Sequence, residues 1–282
     1  MKTGIRTGAL VLGFALASAT SLTGQSWKTV SAARQVTGED QVKMKVTYAA
    51  GVLKVGPAAS GTLYRSRLRY DEDAAIPVHE YENESLHIGI ERLETRRVNV
   101  KNWTLEGSMD VELPTEVLVD LELELGAVKA DLDLTDIPIY ALTLRTEASE
   151  SEVHVDKRNP SEIETARFEI GAADFVLRGL GNLNARQVSV EAGVGSVTLV
   201  LDGSWSTSQK LEIDMGLGAL ELRIPETLGV RLEKSSFLAS LDTKGMTARG
   251  GAYYSTNWDQ AESKVDIEIS AALASVDLVW TR

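Results

Sequence analysis

Along most of this chain apolar residues stand at every second position for five to eight residues, the parity slips at a corner, and the alternation resumes. VEAGVGSVTLVL shows the scheme, with Val188, Val190 and Ala192 before Gly193 and Gly195, then Val197, Leu199 and Leu201. LELELGAVKADLDL repeats it around Gly126, FEIGAADFVL around Gly171, and LEIDMGLGALELRI around Gly216 and Gly218. Weaker copies turn near Ala49, Glu147, Ser235 and Ser270. Strict alternation is the signature of a strand with one buried and one wet face. Here Val, Leu and Ile hold one parity, while Glu122, Glu124, Lys129, Asp131, Glu212 and Glu221 hold the other.

The corners at 126, 147, 171, 193, 216 and 235 lie 21, 24, 22, 23 and 19 residues apart. A period of about 22 residues is that of a solenoid. The pattern therefore predicts an all-β, single-domain β-solenoid with parallel strands stacked about 4.8 Å apart. A long antiparallel hairpin meander is the alternative, because Leu125 and Val128 flank a two-residue turn and would face the same side. Gly126, Gly171, Gly193, Gly195, Gly216 and Gly218 are read as structural corners, where a missing Cβ lets neighbouring layers approach. Helical periodicity is nearly absent, with a turn or two at most between Arg34 and Lys45.

The period divides the chain. Residues 1–24 form a signal peptide and short leader, and 25–282 the β-repeat domain. Within it, 57–113 break the rhythm and read as an irregular cap or side sheet over the N-terminal end. Residues 114–282 read as regular coils, with a loop inserted at 245–264 and the far end closed by the last strand and Trp280. Solenoid ends need such covers, since unpaired strand edges recruit other chains.

Composition narrows the function. The formal net charge is −12, from 41 acidic against 29 basic side chains, which repels phosphate backbones and argues against nucleic acid as a partner. Lys2 and Arg6, the apolar run from Ala9 to Ala17, and Ala17-Ser18-Ala19 have the layout of a cleavable secretory signal. Cleavage near Ala19 would remove both cations, taking −12 to −14, and leave no membrane span. The expected location is the periplasm or the extracellular space. Without cysteine there are no disulfides, thiolate metal sites or cysteine nucleophiles.

Candidate chemistry is sparse. Gly193/Gly195 and Gly216/Gly218 resemble phosphate-binding glycine pairs, but such a cradle needs a following helix, and here a strand follows. His79, His87 and His154 do not have a metal-ligand spacing, and no G-x-S-x-G elbow is present. Asp131 and Asp133, with Asp136 beyond them and Glu122 and Glu124 across the corner, could offer oxygen ligands to calcium or acid–base chemistry to a polysaccharide-active enzyme. A solvated strand face has the same appearance. No catalytic, metal or cofactor site is therefore assigned. In AYYSTNW, Tyr253, Tyr254 and Trp258 have the amphipathic bulk of an interface, and of side chains anchoring an insertion equally.

The glycine-corner copies, together with GVLKVGPAASGTLYRSRLRYDEDAAIPVHEYE and GGAYYSTNWDQAESKVDIEIS, resemble a known exported β-repeat. It is the C-terminal domain of LiaF-type cell-wall-active antibiotic response proteins, with the related toastrack-like, DUF4097-like adhesin domains. The resemblance runs from about residue 42 to the end and implies a non-enzymatic β-solenoid. Membrane-attached members modulate envelope-stress signalling through a histidine kinase, but here a cleavable signal replaces their hydrophobic helices. The expected function is an exported bacterial scaffold binding an unidentified envelope protein or polymer. An adhesin-like surface assembly through solenoid ends and a polysaccharide-active enzyme are the alternatives.

Overall fold

The computed structural model describes residues 26–92, 107–205, 209–236, 240–241 and 243–282, so the expected signal segment lies outside the described residues. Its strands run β1 (Trp27–Gln35), β2 (Gln41–Pro57), β3 (Thr62–Asp71), β4 (Ala75–Glu82), β5 (Ser85–Arg92), β6 (Ser108–Leu113), β7 (Leu118–Asp133), β8 (Ile139–Thr146) and β9 (Glu150–His154). They continue with β10 (Ile163–Arg178), β11 (Ala185–Val200), β12 (Gln209–Pro225), β13 (Gly229–Ser236), β14 (Ser240–Leu241), β15 (Met246–Arg249), β16 (Ala252–Ser255) and β17 (Lys264–Thr281). A short 3-10 helix at Leu180–Leu183 interrupts them. The segment 34–45, where a helical turn was expected, is two strands and a bend. Alternating Val42, Met44 and Val46 are buried there, which only a period of two permits.

Each long strand is one bent coil. In β7 the buried residues are Val119, Leu121, Leu123 and Leu125 before Gly126, then Val128, Ala130 and Leu132 after it. Two consecutive outward positions at the corner shift the parity, so both legs send apolar side chains inward. Across the core of β10, Phe168 of the first leg meets Phe175 of the second, with ring centroids 5.8 Å apart. Leu125 and Val128 do face the same side, but β7 pairs in parallel with β2 and with β8 and β9 instead of folding back on itself. The architecture is the solenoid, not the meander.

Parallel pairing stacks like on like. Val46, Leu123, Leu144, Phe168, Val190, Ile213 and Ile269 are successive register partners and form one continuous inward row. Such a row buries the apolar parity along the whole rod, at roughly 25 cal/mol per Å². On the far side, the turns between coils are closed by buried asparagines. The Asn159 amide donates to Ile139 O at 2.7 Å, and the Asn182 amide donates to Val155 O at 2.8 Å. These bonds satisfy carbonyls that the turns take out of the ladder.

Stacking order departs from chain order at both ends. From one end to the other the coils run β5 with β6, β2, β7, β8 with β9, β10, β11, β12, β17, and β13 with β14. Segment 57–113 thus contributes an outer parallel coil, with β3 and β1 extending β6, and β4 extending β5, by antiparallel pairing. The last strand was expected to close the C-terminal end. It lies one layer inside, between β12 and β13. The closure comes from β16 on β13 and β15 on β16, so segment 245–264 holds a hairpin. In β13 the register partner of Ile269 is Lys234, a charge in an apolar row. Such a residue suits an outermost layer and discourages further strand addition.

Candidate functional site

The corners build the main surface feature. Gly126, Gly171, Gly193 and Gly216 sit in the bend, each close to a carbonyl of the neighbouring coil. A Cβ on Gly171 would lie 2.4 Å from Glu147 O, and one on Gly216 would lie 2.5 Å from Gly193 O. Gly195 and Gly218 follow on the second leg with φ +137° and +136°, and their Cβ positions fall 2.0 and 1.9 Å from the carbonyls of Ala173 and Gly195. L-residues rarely adopt that conformation, so here glycine is required twice over. No corner stands at Ser235, since Ser235 and Ser236 still pair with Ser270 and Ala271, and residues 237–239 lie outside the described residues. The corner placed near Ser270 stands two residues later, at Ala272.

Because glycine and alanine carry little side chain, the row of corners becomes the floor of an open groove of about 1450 Å³. It crosses the strands from Thr47 of β2 to Ser270 of β17. Six register steps of about 4.8 Å make it roughly 29 Å long. One wall is the outward row Glu124, Arg145, Glu169, Glu191 and Asp214, one residue per coil. Beyond the corner, Ala127 and Ala148 line the groove, and Ala172, Val194, Leu217 and Leu273 each stand one residue past its floor residues Gly171, Gly193, Gly216 and Ala272. Val194, Leu217 and Leu273 are 50%, 47% and 53% exposed.

Charge along the acidic wall is only partly compensated. Lys45 Nζ lies 2.8 Å from Glu124 Oε1, and this hydrogen bond holds the Glu124 carboxyl below its usual value. Arg145 bridges Glu169 at 2.9 Å and Glu122 at 3.0 Å. Glu191 and Asp214 are exposed and form no ion pair among the described residues. Further along the first leg, Lys210 and Arg231 pair with Glu268 and Asp266, each at 3.2 Å. Arg145 and Arg231 face Glu169 and Asp266 directly across the ladder, while Lys45 and Lys210 reach Glu124 and Glu268 diagonally, and these pairings offset the repulsion between stacked carboxylates that Glu191 and Asp214 keep.

The other candidates are dispersed. Asp131 lies 3.8 Å from His154, Asp133 accepts a hydrogen bond from Thr135 N at 3.0 Å, and Asp136 pairs with Lys157 at 2.7 Å. Glu122 and Glu124 belong to the other leg, with Lys45 and Arg145. No group of three metal-ligating side chains converges among the described residues. His79 bonds Tyr64 Oη at 2.8 Å, and His87 bonds Thr47 Oγ1 at 3.1 Å. Tyr253 and Tyr254 lie in β16, and Trp258 packs edge-on to Tyr254 at 5.4 Å. All three are half-buried, and Tyr254 Oη accepts from Arg231 Nε at 3.2 Å. Sequence reasoning named the corner glycines but missed the groove they floor. The recurrence of Gly126, Gly171, Gly193 and Gly216 at successive corners was its visible signal.

The fold defines a parallel β-solenoid with an open surface channel along its corners. Residues 22–178 and 166–223 match the model of the N-terminal domain of toast_rack, DUF2154, and the chain belongs to that family. No curated protein matches the chain. Among solved structures, it is similar to a "putative cell adhesion protein" from Clostridium sporogenes at 15% identity, covering 91% of this chain and 100% of that one, with TM-score 0.46. It is also similar to a "putative adhesin" from Bacteroides fragilis at 11% identity, covering 89% and 97%, with TM-score 0.39. No helix among the described residues is long and apolar enough to cross a membrane.

Proposed function

We propose that this protein is an exported, non-enzymatic scaffold that binds a protein or polymer of the bacterial cell envelope through its solenoid surface. The groove carries this reading. It is a channel about 29 Å long on a rod whose backbone is fixed by parallel ladders, so its walls are preorganised and binding orders little chain. Membership in the toast_rack family supports it, and so does the signal-like N-terminus. The half-buried aromatics Tyr253, Tyr254 and Trp258 are a second contact surface, at the end of the rod. Crosslinking in intact cells, followed by capture of the tagged protein from the envelope fraction, tests the reading. Enrichment of a discrete envelope protein or polymer is expected. Recovery of the protein alone, or its retention in the cytoplasm, refutes it.

A further inference from the structure

We propose that the corner groove docks a basic amphipathic helix of a partner protein, centred on β11, β12 and β17. This rests on the binding role proposed above and names its surface and partner chemistry. Val194, Leu217 and Leu273 are register partners on adjacent strands and stand about half exposed, an apolar ladder that no described residue covers. Across the bare backbone of Gly193 and Gly216 stand Glu191 and Asp214, exposed carboxylates without a cationic partner among the described residues. The carboxylate wall of the groove thus calls for cations, and the ladder one residue past its floor for apolar side chains.

Charge decides against the competing occupants. A second copy would bring its own unpaired carboxylates against Glu191 and Asp214, and an anionic bilayer would be repelled in the same way. A segment with lysines or arginines on one flank and leucines on the other satisfies both the wall and the ladder. Pitch selects its form: two ladder steps from Val194 to Leu273 span about 9.6 Å, while seven residues of helix advance about 10.5 Å. A helix along the rod therefore brings apolar residues at i, i+4 and i+7 against the ladder. An extended chain repeats its like-facing side chains at about 6.8 Å and falls out of step.

The test uses a fluorescein-labelled four-turn helix of lysine and leucine, followed by anisotropy against the whole protein. Controls replace its lysines by glutamate or its leucines by serine. Saturable binding to wild type is expected, weakened at least tenfold in Glu191→Gln/Asp214→Asn and in Leu217→Ser. All three side chains are exposed, and thermal melts check that the variants stay folded. Equal binding by the variants, or by the glutamate peptide, overturns the proposal, as does no binding at all. If envelope capture persists in both variants, the scaffold role stands and the groove is not its surface. If capture fails for wild type while the peptide discriminates the variants, the groove stands and the envelope role falls.

Discussion

Gly171→Ala tests the corner reading most directly. The new methyl carbon would stand 2.4 Å from Glu147 O, 3.1 Å from its carbonyl carbon and 3.1 Å from its Cα. That same oxygen accepts the Ala172 N–H at 2.6 Å, so it cannot turn away without cost. Relieving the overlap takes about 0.8 Å of separation between β8/β9 and β10, which draws the 2.6 Å bond out to about 3.4 Å, past the useful range. Weakening two or three ladder bonds at about 1 kcal/mol each, with some loss of packing beneath them, gives a destabilisation of roughly 2–4 kcal/mol. The φ of Gly171 is ordinary, so contact alone accounts for the effect. Gly56→Ala serves as control, since its added Cβ meets nothing within 4 Å, and it should be neutral or stabilising by about 0.4–1 kcal/mol. Urea unfolding followed by circular dichroism measures both. A loss below about 1 kcal/mol in Gly171→Ala, or equal losses in the two variants, would refute the argument that close coil approach demands glycine.

Three further outcomes follow from the packing and the charges. Deleting residues 264–282 should abolish folding instead of trimming an end, because β17 pairs with β12 on one edge and β13 on the other; a soluble, cooperatively melting truncation would contradict that placement. Glu39 is held down to about 2, first by the Thr37 N–H bond at 2.6 Å, with the Thr37 and Tyr81 hydroxyls assisting. Its folded value lies below the unfolded 4.5, so its contribution is fully present above pH 4.5 and lost as pH falls toward 2. The stability gap between wild type and Glu39→Gln should therefore close over that window in acid titrations; a constant gap would show that the shift is absent. Tyr254→Ala with Trp258→Ala removes an edge-on aromatic pair and the Arg231 hydrogen bond, and should cost about 1–3 kcal/mol in thermal melts. An unchanged melt would free these residues for a contact role alone.

Much of the fold was legible because the burial constraint is local. A residue such as Leu123 or Val190 must face the core or the water, so alternation, corner positions and period are written in the order of the residues themselves. The parity slip at Gly126 or Gly193 carries the bend, and the recurrence of about 22 residues carries the coil. Stacking order was not legible in this way. Strands β13 and β17 have similar alternation and either could follow β12. What separates them is long-range, since β13 holds Lys234 where β17 holds Ile269, and an outermost layer tolerates the charge while an inner one does not.

The site divides along the same line. The glycines were readable from sequence, because a corner that excludes a side chain leaves a glycine behind. Whether Glu191 and Asp214 find a counter-ion depends on which strands lie on either side, and register alone brought Arg145 to Glu169 but no cation to these two. Parallel register likewise set Val194, Leu217 and Leu273, far apart in the chain, in one exposed ladder. Sequence by itself determined that this protein winds into coils around an apolar core, since each alternation is settled within a few residues. The tertiary structure decided what the coils present to their surroundings, because a surface is made by neighbours in space.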